Sequence, residues 1–327
     1  MQSGQPPRYE TTLLYFPFND NSSPYLSEAV KRSVHQTTKR LIVALVSAEF
    51  DTSQHAFLAS KWDWVHNILV LAYVPAARVT EERNDPLFTS DVILVSNASQ
   101  AVQQLSTEKW DAVITLEGVS VPNELADASH EIISLSDVFN RENPRAEPLK
   151  VTKKEEAIGK IYPVSILGGT FDYLHPGHKI LLSMAAWITT SKLIVGVTDD
   201  SLLTKKANKQ YIQPISLRIA SVQSFVKIFK PSIECEAVPI QDVYGPTAWD
   251  PNIQALVVSR ETLGGASSVA QLRSEKSLPP LDLFVIDVIF SSAVLLSEED
   301  AAAFRDAKIS STHIREWLAR AEDSRKQ

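Results

Sequence analysis

Residues 164–186 read Val-Ser-Ile-Leu-Gly-Gly-Thr-Phe-Asp-Tyr-Leu-His-Pro-Gly-His-Lys-Ile-Leu-Leu-Ser-Met-Ala-Ala. An apolar run leads into Gly168 and Gly169, and an apolar helical pattern follows His178. This order is typical of a parallel strand that passes through a glycine turn into its crossover helix. The start of such a helix presents unpaired N–H groups and the positive end of the helix dipole, which both favour an anion. The sequence therefore predicts a phosphate site between this strand and this helix.

Short apolar runs alternate with helical patterns along most of the chain. Such alternation is typical of α/β domains, in which helices cover a mostly parallel sheet. We predict a doubly wound, Rossmann-like parallel sheet in the second half, with its ligand at the carboxyl ends of the strands, and a second α/β domain before it. We find no internal repeat in the sequence. The predicted strands are residues 13–16, 41–46, 68–72, 92–95, 113–116, 162–167, 193–197, 233–238, 255–258 and 283–286, and the predicted helices are residues 27–37, 99–105, 179–189, 215–229 and 309–321.

A polar stretch separates the two halves of the chain. Residues 141–148 contain two prolines, and residues 153–156 form a run of four charges, as in a solvated connector. We therefore predict three segments. They are an N-terminal α/β domain of unknown role over 1–145, a linker over 146–160 and a catalytic domain over 161–327.

The composition is that of a soluble globular protein, with 327 residues, 44% of them hydrophobic and 22% charged. A net charge of −7 argues against a broad nucleic-acid-binding face, which needs a basic surface. The single cysteine, Cys235, rules out an intramolecular disulfide and a zinc site built on cysteines. No apolar run is long enough for a membrane span, and residues 1–7 lack a secretory or mitochondrial leader pattern. We expect a cytoplasmic protein, with nuclear entry left open.

The two histidines of the opening stretch, His175 and His178, allow three interpretations. They are metal ligands, chance surface residues of a turn, or contacts for a phosphate. A helix N-terminus disfavours a cation, so phosphate contact is the interpretation that we favour. Gly168 and Gly169 let the backbone approach a ligand closely, and Thr170 adds a hydroxyl at the end of the strand.

A second polar cluster comes near the end of the sequence. Ser310, Ser311 and Thr312 precede a helical pattern, and Arg315 follows in its first turn. The hydroxyls form either a plain helix N-cap, with Ser311 or Thr312 paired to Glu316, or a cradle for a polyphosphate. The residues alone leave both alternatives open. The same holds for Lys205 and Lys206 in a loop and Arg218 at a helix start, which on composition alone are ordinary surface cations.

The sequence His175-Pro176-Gly177-His178 and the later Ile-Ser-Ser-Thr-x-Ile-Arg at 309–315 resemble the nucleotidylyltransferase superfamily and its His-x-Gly-His signature. Segments 202–206, 244–247 and 257–265 narrow the resemblance to eukaryotic phosphopantetheine adenylyltransferases. The resemblance covers about residues 160–320. No P-loop sequence occurs, so the chain resembles the stand-alone, fungal-type form that leaves the final kinase step to another protein.

The resemblance implies that ATP, with Mg²⁺, reacts with 4′-phosphopantetheine to give dephospho-coenzyme A and pyrophosphate, by in-line attack without a covalent intermediate. It implies no metal ligand from the protein. The catalytic residues that it implies are His178, Lys206 and Thr170. The implied contacts to ATP and its phosphates are Gly168, Gly169, His175, Gly177, His178, Ser310, Ser311, Thr312 and Arg315. The implied contacts to the acceptor are Thr170, Phe171, Lys205, Lys206, Arg218 and Arg260.

Two other functions stay open at this point. The first is a nucleotidylyltransferase that acts on a different phosphorylated acceptor. The second is a non-catalytic assembly subunit that docks other coenzyme A biosynthesis enzymes, including a separate dephospho-coenzyme A kinase.

Overall fold

The computed structural model describes residues 9–129, 131–136, 138, 149–286 and 310–326. These residues form two compact units. The first unit holds residues 9–54 and the described residues from 63 to 152, and the second holds 55–62, 153–286 and 310–326. Residues 141–148, which include the first three residues of the expected linker, lie outside the described residues, so the limits 1–145, 146–160 and 161–327 stay predictions.

The first unit contains a parallel sheet of five described strands with the order β3-β2-β1-β4-β5. Its central strand is β1, and the direction in which strands are added reverses between β1 and β4. The strands are β1 (Tyr9–Pro17), β2 (Thr37–Val46), β3 (Thr89–Val95), β4 (Ala112–Leu116) and β5 (Glu131–Leu135). The helices are α1 (Leu26–Gln36), α3 (Trp62–Glu82), α4 (Ala98–Gln104) and α5 (Asn123–Asp127). The first residue of α3, Trp62, is assigned to the second unit.

The second unit contains another parallel sheet of five described strands, with the order β10-β9-β6-β7-β8. Its strands are β6 (Tyr162–Gly169), β7 (Thr189–Thr198), β8 (Glu234–Ile240), β9 (Ala255–Ser259) and β10 (Asp282–Ile286). Its helices are α2 (His55–Leu58), α6 (Pro176–Ile188), α7 (Ile215–Phe229), α8 (Leu263–Glu275) and α9 (Ser311–Lys326). The two sheets confirm the predicted Rossmann-like α/β class and the second α/β domain before it.

The central strands are buried on both faces, which explains their continuous apolar runs. Residues 193–197 of β7 are all buried, and so are residues 165–167 of β6. In α6, nine of the thirteen residues are buried, so this helix lies deep in the unit. Within the described residues, no helix combines the length and the apolar character that a membrane span requires.

One predicted strand was wrong. Residues 68–72 belong to α3, where most of the side chains are buried. A short run of Ile, Leu and Val fits a buried strand and a buried helix equally well, so its period does not distinguish them. The sequence analysis also missed β5, an edge strand whose residues are mostly exposed and whose apolar pattern is correspondingly weak. Ile309, the expected first residue of the last helix, lies outside the described residues.

Candidate active site

The candidate site lies at the carboxyl end of β6, the central strand of the second unit. The strand order reverses between β6 and β9, and open α/β sheets bind ligands at this kind of switch point. A loop joins Gly169, the last residue of β6, to Pro176, the first residue of α6. Proline at this first position is favourable because its missing N–H would have no helical partner anyway. The helix therefore starts sharply, with its free amides at the strand end.

Two glycines are required by close contacts at this site. A Cβ atom added to Gly169 would lie 3.1 Å from the ring of Phe171. A Cβ atom added to Gly177 would lie 3.2 Å from Cε1 of His175. Both distances are tighter than an ordinary van der Waals contact. The glycines thus allow the loop and its aromatic rings to fold directly onto the backbone.

His175 and His178 stack on each other at the start of α6. Their ring centroids are 3.8 Å apart, and the ring planes differ by 29°. Burial and the nearby charge of Lys179 lower the pKa of His175 to about 4. Burial, His175 and Lys206 together lower the pKa of His178, and a backbone group of Tyr173 opposes the shift. Both imidazoles are therefore neutral at pH 7, and each carries one N–H donor.

Two buried nitrogens of this pair, Nδ1 of His175 and Nδ1 of His178, point to a missing ligand. Neither atom has a hydrogen-bond partner within the described part of the chain. Buried polar atoms in proteins almost always have a partner, so an unpartnered one in a site needs an explanation. A phosphate oxygen at the start of α6 would supply the acceptor that these rings lack.

The loop before the histidines holds two residues in the left-handed backbone region. Phe171 has a φ of 51° and Tyr173 a φ of 45°. Each such residue costs about 1–3 kcal/mol, and this strain is typical of functional sites. Phe171 is completely buried, and its ring centroid lies 5.3 Å from that of His178. Phe171 therefore packs against His178. This role was not predicted, since the resemblance implied that Phe171 contacts the acceptor.

Gln213 and Asp172 hold the strained loop in place. The backbone N–H of Tyr173 donates to Oε1 of Gln213 over 2.8 Å. The backbone N–H of Gln213 donates in turn to Oδ1 of Asp172 over 2.9 Å. Asp172 thus braces the loop. The role of Gln213 was not predicted, and its place before the proline that precedes α7 was the only available signal.

A buried ion pair joins this loop to α9. Nη1 of Arg315 donates to Oδ2 of Asp172 over 2.7 Å, and both side chains are almost completely buried. The guanidinium also donates to the backbone oxygen of Ala207 and to Oγ1 of Thr312. Oγ of Ser311 donates to the backbone oxygen of Asp172 over 2.7 Å. Arg315 therefore connects three segments of the site, and protein groups occupy its donors.

Ser310 caps α9. Its Oγ accepts a hydrogen bond from the backbone N–H of His313 over 3.3 Å. The cap is therefore Ser310, and not Ser311 or Thr312 with Glu316 as one of the alternatives had it. Thr312 is exposed at the start of the helix, where its hydroxyl and the first free amides face solvent.

Arg218 lies beneath the site and is completely buried. Its guanidinium donates to the backbone oxygens of Thr170, Thr198 and Gln213 over 2.7–2.9 Å, and it forms an ion pair with Asp200. These bonds hold the carboxyl ends of β6 and β7 together. This arrangement favours a positioning role for Arg218, and direct contact with the acceptor stays a prediction.

Of the two lysines in the loop after β7, Lys206 lies near His178. Lys205 and Lys206 are both exposed, and the charge of Lys206 adds to burial and to the charge of His175 in lowering the pKa of His178. Arg260 is exposed directly after β9, the neighbour of β6, and so lies at the same edge of the sheet. Lys179, a buried cation beside His175, was missed, although a lysine in an otherwise apolar helix pattern was a visible signal.

The donor groups of the site are suited to an anion. The described residues contain no group of three or more His, Cys, Asp or Glu side chains that could hold a metal ion. The free amides of α6, two imidazole donors and the nearby Lys206 are instead suited to phosphate oxygens.

Comparisons with known proteins agree with this geometry. A cytidylyltransferase-like family model matches residues 166–317. The chain is 45% identical over 157 residues to phosphopantetheine adenylyltransferase of Saccharomyces cerevisiae, across 48% of this chain and 49% of the yeast protein. It is 41% identical over 157 residues to an uncharacterized protein of Schizosaccharomyces pombe, across 48% of each. It is 35% identical over 161 residues to phosphopantetheine adenylyltransferase of Pyrobaculum aerophilum, across 48% of this chain and 92% of the archaeal protein.

The extent of these matches differs between the relatives. The chain spans about half the length of the two fungal relatives and nearly all of the archaeal one. The family match begins in β6 and ends in α9, so it includes both segments that form the candidate site.

Proposed function

Because the chain belongs to the cytidylyltransferase-like family of nucleotidylyltransferases, we propose that it transfers the adenylyl group of ATP to 4′-phosphopantetheine. The products are dephospho-coenzyme A and pyrophosphate, and the reaction belongs to coenzyme A biosynthesis in the cytoplasm. The observation that carries the proposal is the stacked, uncharged pair His175 and His178 at the start of α6. The names of the yeast and archaeal relatives support the choice of acceptor.

The chemistry is a direct displacement at the α-phosphorus of ATP. An oxygen of the acceptor's phosphate forms the new P–O bond, and the bond to the bridging oxygen of the β-phosphate breaks. Pyrophosphate leaves with that electron pair. Because the nucleophile is already an anion, no general base is needed, and catalysis rests on positioning and on stabilising charge.

His178 and His175 donate hydrogen bonds to the nucleotide phosphates. In this proposal His178 contacts the α-phosphate and its transition state, and His175 holds the neighbouring phosphates. Their neutral state matters because an uncharged imidazole is not repelled by the ammonium groups of Lys179 and Lys206. A bound polyphosphate favours the imidazolium and raises the pKa of both rings, which strengthens the donors as ATP binds.

Lys206 and Thr170 act on the reacting groups. The flexible ammonium of Lys206 offsets negative charge between acceptor and nucleotide, and Thr170 orients the attacking phosphate. Lys205 and Arg260, both exposed, extend the cationic surface toward the acceptor. Phe171, Arg218 and Arg315 are buried and act as positioning residues for these groups.

The β- and γ-phosphates of ATP bind at the start of α9. Ser310, Ser311 and Thr312 offer hydroxyls there, and the backbone of Gly168, Gly169 and Gly177 lines the approach to the other phosphates. Mg²⁺ enters as part of the Mg-ATP substrate and is held mainly by phosphate oxygens and water, as is usual for this ion.

The first experiment is pyrophosphate release by the purified chain with Mg-ATP and 4′-phosphopantetheine, with the product identified by mass. We expect dephospho-coenzyme A, and we expect it to disappear in His178→Ala. The matched control is His35→Ala, which removes an exposed histidine of the first unit. Turnover only with a different phosphorylated acceptor would replace the acceptor in the proposal and keep the family chemistry.

A separate proposal concerns partners. We propose that the chain works beside other coenzyme A biosynthesis enzymes, including a separate dephospho-coenzyme A kinase. Co-purification of the full chain with that kinase supports the proposal, and its failure under mild extraction contradicts it. If the purified chain shows no turnover with any substrate pair, the result would instead favour a non-catalytic assembly role.

A further inference from the structure

The two units share one strand order. Renumbering the strands of each unit by their order in the chain gives 3-2-1-4-5 for the first sheet and the same order for the second. All the strand pairs in both sheets are parallel. This order is common among α/β proteins, so topology alone does not relate the units.

The register of the central strands is also the same. In the first unit Tyr9 pairs with Thr37, and an irregularity follows before the ladder resumes at Arg40. In the second unit Tyr162 pairs with Thr189, and an irregularity follows before the ladder resumes at Lys192. The break thus falls at one equivalent place in each sheet.

The second strands of the two units match residue by residue. β2 reads Thr-Thr-Lys-Arg-Leu-Ile-Val-Ala-Leu-Val, and β7 reads Thr-Thr-Ser-Lys-Leu-Ile-Val-Gly-Val-Thr. Five of the ten residues are identical, and the order of buried and exposed positions is the same along both strands. The fourth residue of each strand forms an equivalent ion pair, from Arg40 to Asp91 and from Lys192 to Glu236.

Equivalent side chains also join the outer strands to the central one. The hydroxyl of Tyr9 donates to Glu131 in the first unit, and the hydroxyl of Tyr162 donates to Asp282 in the second. Glu131 and Asp282 occupy the same register position, since each is level with the first residue of the adjacent strand. Such bonds are not required by the strand order.

A second polar contact repeats at the base of each sheet. Oδ2 of Asp111 accepts a hydrogen bond from the backbone N–H of Thr11 over 3.0 Å. Oε1 of Gln254 accepts one from the backbone N–H of Val164 over 2.7 Å. In both pairs the backbone bond is returned, from Asp111 to Thr11 and from Gln254 to Val164.

The carboxyl ends of the first crossover helices are capped alike. Arg83 donates to the backbone oxygen of Thr37 over 2.9 Å, and Lys230 donates to that of Thr189 over 2.7 Å. Each of the two threonines donates from Oγ1 to the backbone oxygen four residues earlier over 2.7 Å. A cation that follows the second main helix of each unit, α3 or α7, thus holds the end of the first.

We propose that the first unit is a second copy of the nucleotidylyltransferase fold, in which aromatic side chains fill the place of the phosphate site. The shared register assigns the equivalent positions. Gly168 and Gly169 correspond to Tyr15 and Phe16, and Phe171 corresponds to Phe18. Pro176, at the start of α6, corresponds to Pro24, and counting from that proline His175 and His178 correspond to Ser23 and Leu26.

The substituted residues close the site. Phe16 is completely buried and Tyr15 nearly so, at the positions where the second unit has Gly169 and Gly168. The ring of Phe18 lies 5.7 Å from Phe50 and 6.1 Å from Trp64, and those two rings lie 5.4 Å apart. Where Phe171 supports a histidine, Phe18 thus packs in an apolar cluster, and the buried Leu26 offers no donor. One chain therefore holds two copies of the fold and one nucleotide site.

The first test uses hydrogen–deuterium exchange on the full chain with Mg-ATP. We expect protection in peptides that cover 168–179 and 310–315, and none in peptides that cover 15–27. Protection of 15–27 that persists in the double variant His175→Ala/His178→Ala would overturn the closed first site. The expected protection of 168–179 and 310–315 rests on the proposed ATP binding of the second unit, so no protection anywhere would contradict that binding. The lack of protection in 15–27 would still agree with a closed first site.

The second test asks whether the units are copies. Replacing β2 by the sequence of β7 requires Lys39→Ser, Arg40→Lys, Ala44→Gly, Leu45→Val and Val46→Thr. We expect a folded chain whose unfolding midpoint falls by no more than about 5 °C. The control inserts the same ten residues shifted by one position toward the carboxyl end, which places the inserted lysine at the buried position 41. A loss of cooperative unfolding in the exchange variant as large as in the control overturns the proposal.

Discussion

At the scale of single residues, the site keeps two uncharged imidazoles beside two lysines until a polyphosphate arrives. His175 and His178 are half-buried and stack on each other, and the charges of Lys179 and Lys206 add to the cost of protonating them. A bound anion reverses this balance because it favours the protonated rings. In the proposed reaction the histidines therefore link nucleotide binding to proton uptake.

His178→Ala removes the donor that we assign to the α-phosphate. We expect turnover to fall about 100- to 1,000-fold, as when a single donor to a developing oxyanion is lost. The unfolding midpoint should change much less than turnover, since the ring's contacts are a stack on His175 and an interaction with a backbone group of Tyr173. Steady-state kinetics with circular dichroism as the folding check measures both effects, and turnover near that of wild type would remove His178 from the mechanism.

The pKa of His175 makes stability depend on pH. Its folded pKa of about 4 lies below the ordinary value of 6.5, so between these values the unfolded chain binds more protons. The contribution of His175 to the free energy of unfolding is therefore fully present above pH 6.5, and it is lost as the pH falls toward 4. Between pH 7 and pH 5 this one group accounts for a loss of about 2 kcal/mol.

Urea unfolding at pH 7 and pH 5 measures that loss. The variant His175→Gln has no titrating ring, so its stability should change less between the two pH values than that of wild type. An equal pH dependence in the two proteins would contradict the depressed pKa.

At the scale of elements, the position of α9 depends on the ion pair between Arg315 and Asp172. Arg315→Met leaves the Asp172 carboxylate buried without its partner, which costs about 3–5 kcal/mol. The double variant Asp172→Asn/Arg315→Met removes the stranded charge and should recover part of this loss. Urea unfolding measures the difference.

The matched control for this prediction is an exposed ion pair. Lys39 and Glu10 are 2.8 Å apart and largely exposed, so Lys39→Met should cost less than about 1 kcal/mol. If Arg315→Met costs no more than Lys39→Met, the buried pair does not hold α9 against the loop.

Gly169→Ala tests how closely the loop packs on β6. The added methyl group would lie 3.1 Å from the ring of Phe171, and this ring supports His178. We expect kcat to fall by more than tenfold while KM for ATP changes less, because a small displacement of a positioned donor is enough to slow the reaction. Gly264→Ala is the control, since nothing lies within 4 Å of its added methyl group. Equal kinetics of the two variants would contradict the close packing.

The elements of the second unit could be predicted from local signals, but the connections between them could not. Apolar runs and helical periods indicated β6, β7, α6 and α7, because these patterns act over a few residues. The ion pair between Asp172 and Arg315 joins residues 143 positions apart, and it depends on how the chain folds back. The strained backbone of Phe171 was likewise invisible, since nothing in the residue type requires a positive φ.

At the scale of the whole molecule, two copies of one fold contribute unequally to function. We expect equilibrium dialysis with a non-hydrolysable ATP analogue and Mg²⁺ to give one bound nucleotide per chain. Lys206→Ala weakens a proposed contact in the second unit and should lower the affinity without changing that number. Two bound nucleotides per chain would contradict the closed first unit.

The repeated fold escaped the sequence analysis for a physical reason. A sheet core accepts many combinations of Ile, Leu and Val, so the shared residues of β2 and β7 look like ordinary strand sequence. The polar contacts that repeat, such as those of Tyr9 and Tyr162, join residues about 120 positions apart, and spacing along the chain does not indicate them. The loss of His and Gly from the first copy removed the most visible motif.

The aromatic cluster of Phe18, Phe50 and Trp64 has a consequence for genetics. Substitutions in this cluster alter the folded fraction and hence the amount of protein that escapes degradation in a cell. Substitutions at His178 instead lower the turnover of each folded molecule. Inherited variants of the two halves should therefore separate into a class that extra gene copies rescue and a class that they rescue poorly.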